Sequence, residues 1–140
     1  MDTSLEALKM AKINAKNNKV DVEFFQGNIL EWKSQNQSFD LIVSNPPYVL
    51  KNEQSKMASN VLDYEPHLAL FVDDNTPLIF YKAICKIAFE NLYSNGFCFM
   101  EINEALGPDT QLLFEGNYFQ KTALKKDTFG KNRMLKTQKK

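Results

Sequence analysis

The apolar run Phe39-Asp40-Leu41-Ile42-Val43 ends, after Ser44, in Asn45-Pro46-Pro47-Tyr48. No other stretch restricts the fold as much. Branched and aromatic residues between polar flanks predict a buried strand, placed centrally in a sheet. Neither proline has an N–H to donate to a neighbouring strand, so pairing must stop at this point. The prolines also set the backbone of the turn and push Asn45 away from helical geometry. An amide side chain is thereby held at the carboxyl end of a strand, where open α/β sheets bind their ligands.

Such a turn suits chemistry on a planar, conjugated amino group. The nitrogen of such a group is a poor nucleophile because its lone pair is delocalised. Two acceptors aimed at its hydrogens orient it and stabilise the charge that develops as the nitrogen attacks. The side-chain oxygen of Asn45 and the carbonyl oxygen of Pro46 are the candidate acceptors, and the Tyr48 ring is the candidate cover. Asn and Pro are also ordinary turn formers. The place of the motif, directly after a strand, favours the functional reading.

Length and composition set the frame. A chain of 140 residues is one domain's worth, and 44% hydrophobic with 12% aromatic residues suits a globular protein. Formal net charge is zero but unevenly spread: residues 120–140 hold eight Lys or Arg against the single acid Asp127. That basic tail reads as a nucleic-acid or ribosome-facing surface or, more plainly, as a solvated face or frayed terminus. Cys85 and Cys98 stand in apolar surroundings without a Cys-x-x-Cys spacing, so free thiols and a reducing, cytoplasmic setting are expected. His67 is the sole histidine, which argues against a metal site. No apolar run approaches a membrane span, and the first residues carry no signal-peptide pattern.

Along the chain, Thr3-x-x-Glu6 has capping-box spacing and opens a helix with Leu5, Leu8, Ala11 and Ala15 on one face, ending near Asn17-Asn18. Residues 20–24 alternate as a strand, followed by a turn at Gly27-Asn28. After the strand at 39–44, residues 49–63 read as irregular. Asn75-Thr76-Pro77 is expected to start a long helix with proline at its first position, and Asn95-Gly96 to end it. A strand at 97–102, a helix near 109–115, a turn at Gly116-Asn117 and antiparallel strands at 118–124 and 132–137 complete the pattern. Alternating elements predict an α/β fold, one domain over 1–140, with a mostly parallel sheet and helices on both faces.

Three blocks together, Asn45-Pro46-Pro47-Tyr48-Val49, Tyr64-Glu65-Pro66-His67-Leu68-Ala69-Leu70-Phe71 and Phe80-Tyr81, resemble the release-factor glutamine N5-methyltransferases of the PrmC/HemK family. The first block alone is shared with adenine-N6 and guanine-N2 methyltransferases of nucleic acids, and the Tyr-Glu-Pro block narrows the choice. The resemblance runs from Asp2 to about Lys136. It implies a class I S-adenosylmethionine-dependent (Rossmann-like) sheet with an antiparallel C-terminal pair, S-adenosyl-L-methionine as methyl donor and a peptide-chain release factor as partner. Catalytic roles then fall on Asn45, Pro46, Pro47 and Tyr48. Acceptor binding falls on these four with Glu65 and Pro66, and cofactor binding on Asp2, Asn28, Ile29 and Asn45. Glu101 and Glu104 line the site or serve as a helix cap and a solvated residue.

Departures from the family pattern shape the rest. The five glycines include no Gly-x-Gly pair, the spacing with which such folds let the backbone approach the cofactor. Asp2 matches the acid that ends the second strand, and Asn28 stands where an Asp is usual. The chain is therefore expected to be a partial catalytic domain, with the first two strands missing and no turnover on its own. Unpaired edges are expected to cause rearranged pairing of residues 20–24 or self-association. The alternatives are a nucleic-acid methyltransferase, with RNA contact by the tail left open, or a non-catalytic remnant.

Overall fold

The computed structural model describes residues 1–33, 37–116 and 118–140. They fall into two compact units, Met1–Lys33 and Ser34–Lys140.

In the first unit, helix α1 (Leu5–Asn17) begins one residue later than the capping-box spacing suggested. Ser4, not Thr3, is the cap, and its hydroxyl accepts from the Ala7 N–H at 3.1 Å. The helix ends where expected. Lys19, at φ 55°, occupies the left-handed position more often held by glycine, while the Val20 N–H reaches back to the Ala15 carbonyl. Residues 20–24 do not form the expected strand. Alternation encodes which way side chains point but supplies no neighbouring strand, and none pairs with this segment among the described residues. One parallel bridge joins Asp2 to Gln26, through Asp2 N–H to Phe25 O and Gly27 N–H to Asp2 O. Asn28 then caps a short 3-10 turn, Ile29–Glu31, accepting from the Leu30 N–H.

The second unit is built on a four-stranded sheet in the order β1 (Phe39–Ser44), β4 (Leu92–Glu101), β6 (Asn132–Lys139), β5 (Phe119–Lys126). Strand β1 (Phe39–Ser44) keeps its predicted bounds and runs parallel to β4 (Leu92–Glu101), with Ser44 opposite Met100. Its predicted central, buried position is corrected. Among the described residues β1 pairs with β4 alone, and Leu41 and Val43 are 53% and 70% exposed. An apolar run shows that both faces tolerate cover, not that both receive it.

Helix α4 (Ile79–Asn91) starts after Leu78, later than Pro77 suggested. Asn75 belongs to a turn in which Asp73 accepts from its N–H at 2.9 Å. Nor does Asn95-Gly96 end that helix. Leu92 already enters β4, and the pair lies in a bulge, because Phe39 faces Leu92 while Leu41 faces Phe97. The bulge takes Asn95 to φ 68°, and a Cβ on Gly96 would sit 2.9 Å from the Tyr93 carbonyl oxygen. Helix α5 (Gly107–Leu113) is shifted two residues toward the N-terminus, with Pro108 in its first turn. Gly116 has φ +129°, but the expected turn there includes Asn117, which lies outside the described residues.

The antiparallel C-terminal pair is present as β5 (Phe119–Lys126) and β6 (Asn132–Lys139). Its placement overturns the reading of the tail as frayed, while Lys121, Lys125, Lys126, Lys131 and Lys140 are exposed, as a solvated face requires. Strand β6 lies between β4 and β5, with Leu135 and Thr137 fully buried. Other lysines serve the fold: Lys139 donates to the Phe89 and Leu92 carbonyls at the end of α4, where a cation is favoured. Lys136 lies 4.6 Å from the Phe97 ring centre. The sheet is thus mixed, with β1-β4 parallel and β4-β6-β5 antiparallel. One of its faces, carrying Cys98, Met100 and Leu135, forms the core with Tyr81, Ile84 and Ala88 of α4. Both cysteines are free thiols, Cys98 buried and Cys85 half-buried.

Candidate active site

The parallel pairing of β1 and β4 brings their carboxyl ends out side by side, and the proline turn grows from this edge. Asn45 is exposed, Pro46 buried, and Pro47 and Tyr48 half-buried. After the turn, a two-residue strand β2 (Val49–Leu50) pairs in parallel with β3 (Phe71–Val72). That short pairing draws the Tyr64–Phe71 block to the turn. Asn45, Pro46, Tyr48 and Val49 line a depression of about 100 Å³ with Ala69 and Leu70. Glu65 and Pro66 are exposed and do not line it: Glu65 closes α2 (Ser59–Tyr64), and Pro66 precedes α3 (His67–Leu70).

Behind the depression, the end of β4 grips the turn. The Tyr48 hydroxyl donates to a Glu101 carboxylate oxygen at 2.5 Å, a charge-assisted bond. The Asn103 side-chain nitrogen donates to the Tyr48 carbonyl at 3.1 Å and to the Glu53 carboxylate at 2.8 Å. Glu53 also accepts from the Leu50 N–H at 2.9 Å. Asn103 uses its remaining groups as well: its N–H donates to the Tyr81 hydroxyl oxygen, and its side-chain oxygen accepts from the Ala105 N–H. Burial, followed by the hydrogen bond and charge of Glu101, pushes the Tyr48 phenol up to about 12. Burial likewise raises Tyr81 above its ordinary value. Both tyrosines are neutral at physiological pH.

Glu53 and Asn103 went unnoticed in the sequence. Their only local signal was the position of Asn103 just past the end of an apolar strand. Glu101 is a partner of Tyr48 rather than a helix cap. That cap is Asn103, and the exposed Glu104 forms an ion pair with Lys131 at 3.1 Å.

Of the residues expected at the cofactor, Asp2, Asn28 and Ile29 lie in the first unit and Asn45 in the second. The bridge to Gln26 sets Asp2 beside Gly27-Asn28. Asp2 is exposed and uses one carboxylate oxygen to accept from the Ser4 N–H at 2.8 Å. Asn28 and Ile29 are half-exposed. Among the described residues no group of His, Cys, Asp or Glu is placed to hold a metal, and no helix is long and apolar enough to cross a membrane.

The family model of the methyltransferase small domain matches residues 1–67. The chain is 50% identical over 136 residues to the release factor glutamine methyltransferase of Flavobacterium psychrophilum, covering 97% of this chain and 48% of that protein. A protein of the same name from Bacteroides thetaiotaomicron is 42% identical over 135 residues, covering 96% and 49%. The bifunctional methyltransferase of Rickettsia typhi is 43% identical over 103 residues, 72% of this chain and 20% of that protein. This chain spans about half the length of the first two relatives. Fold and match place the chain in the class I methyltransferase fold class. Within that class the chain belongs to the PrmC/HemK family of release factor glutamine methyltransferases.

Proposed function

We propose that the protein transfers a methyl group from S-adenosylmethionine to the side-chain amide nitrogen of a glutamine in a peptide-chain release factor, in the cytoplasm. Residues 1–140 are read as part of one methyltransferase catalytic domain. The observation that carries this reading is the meeting of the proline turn and the Ala69-Leu70 end of the second block around one depression. The turn then acts on the planar amide. The Asn45 side-chain oxygen and the Pro46 carbonyl accept the two amide hydrogens, pointing the nitrogen lone pair away from the turn. Tyr48 covers the amide with its ring, and Pro47 stiffens the backbone between them. Glu65 and Pro66, exposed and outside the lining of the depression, are read as contacts to the acceptor protein.

The residues assigned to the cofactor fit its polar groups. Asp2 keeps one carboxylate oxygen for ribose hydroxyls. The Asn28 oxygen, already accepting from Leu30, has a second lone pair for the adenine amino group. Ile29 offers an apolar surface to the adenine ring. When bound, S-adenosylmethionine supplies a methyl group carried on a positively charged sulfur. The acceptor nitrogen becomes acidic on methylation and loses its proton to water, so no strong general base is needed.

Offering release factor, DNA and RNA in parallel to the active protein tests the acceptor. Methylation of a release-factor glutamine is expected, and preferential methylation of a base amino group overturns the reading. Asn45→Ala should lower kcat about a hundredfold or more with an unchanged urea midpoint. With no Gly-x-Gly turn among these 140 residues, binding of S-adenosylmethionine by them alone is expected to be weak in calorimetric titration.

A further inference from the structure

Tyr48 is only half-buried, so packing alone does not fix its ring. Instead it is tied at both ends to the carboxyl end of β4. Glu101 accepts from the hydroxyl at 2.5 Å, and Asn103 donates to the carbonyl at 3.1 Å. The two anchors lie two residues apart, Glu101 at the last position of the strand parallel to β1 and Asn103 just past it, 53 and 55 residues from Tyr48. Asn103 is itself immobilised, with its N–H, side-chain oxygen and side-chain nitrogen all engaged and the residue 5% exposed. A carboxylate at a strand end is ordinarily solvated, yet this one is turned back onto the proline turn.

We propose that Glu101 is a positioning residue for methyl transfer, acting through Tyr48 by holding its ring with one fixed face toward the acceptor amide. The inference rests on the reading above, in which Tyr48 covers that amide. The geometry has a chemical consequence. The single proton of the Tyr48 hydroxyl is committed to Glu101, so toward the acceptor Tyr48 offers its ring and no donor. The amide hydrogens then have Asn45 and Pro46 as their partners, and the ring only restricts how the amide lies between them. A preset ring removes a rotor that would otherwise be ordered in the transition state.

If Glu101 acts through Tyr48, losses on removing either must overlap. In the active protein, Glu101→Ala and Tyr48→Phe should each lower kcat about tenfold or more, with KM for the acceptor protein changed far less. The double variant should be no slower than the slower single one. Glu101→Gln, which keeps an acceptor oxygen, should recover most of the loss. Multiplying losses in the double variant overturn the proposal. So does a Glu101→Gln enzyme as slow as Glu101→Ala, because the charge rather than the position is then what matters.

The anchor is also readable without any acceptor. In an ultraviolet pH titration of this chain, Glu101→Gln should bring one phenol, absent in Tyr48→Phe, down to lower pH. No movement overturns the anchor itself. A wild-type enzyme that ignores release-factor glutamine while the phenol still moves sinks the proposed acceptor instead.

Discussion

Asn103 is 55 residues from Tyr48, yet its side-chain nitrogen donates to the Tyr48 carbonyl at 3.1 Å and to the Glu53 carboxylate at 2.8 Å. One side chain thus joins the proline turn, the 3-10 segment Lys51–Lys56 and the end of β4. Asn103→Ala removes both donations and the cap on the Ala105 N–H. Its partners lose hydrogen bonds in a part-buried place, so a destabilisation of about 1–3 kcal/mol is expected. Urea unfolding of this chain, wild type against variant, checks it.

Alkaline stability should reflect Tyr48. Its folded-state pKa, about 12, lies above the ordinary 10.0, so the native state holds the phenol proton more tightly than the unfolded chain does. This contribution is complete below pH 10.0 and is lost as pH rises toward about 12. Urea midpoints between pH 8 and 11.5 should fall at the alkaline end, and Tyr48→Phe should flatten that fall.

Gly96 is expected to resist substitution. A Cβ there would lie 2.9 Å from the Tyr93 carbonyl oxygen and 3.0 Å from that of Asp40, which are backbone atoms that cannot swing aside. Gly96→Ala should cost about 1–3 kcal/mol through overpacking at the bulge, seen as a lower thermal midpoint.

Strand β6 makes the basic tail structural. Deleting residues 132–140 removes the strand between β4 and β5 together with buried Leu135 and Thr137. Loss of a cooperative unfolding transition is expected, whereas a frayed tail would come off with little effect. A milder version, Leu135→Ala, should cost about 2–5 kcal/mol, measurable in urea.

Much of this was legible beforehand. The bounds of β1, the antiparallel C-terminal pair, the free cysteines and the place of the proline turn all follow from local chemistry. A proline lacks a donor wherever it stands, and an apolar run of β-formers extends wherever it is flanked by polar residues. The pattern misled where partners mattered. Residues 20–24 alternate but find no strand to pair with, and Asn95-Gly96 resembles a helix stop while serving a bulge. The glycine and the left-handed asparagine were real signals of unusual backbone, and only the neighbouring strand revealed which kind.

By itself the sequence determined that a rigid amide would stand at the end of a strand, with a second block some sixteen residues past Tyr48 to meet it. The tertiary structure alone decided what holds that amide's neighbour in place. Glu101 and Asn103 reach Tyr48 because β1 and β4 pair in parallel and end together. Hydrogen bonds between residues more than fifty apart depend on strand order and register, which are set by burying one sheet face against α4 rather than by any local preference.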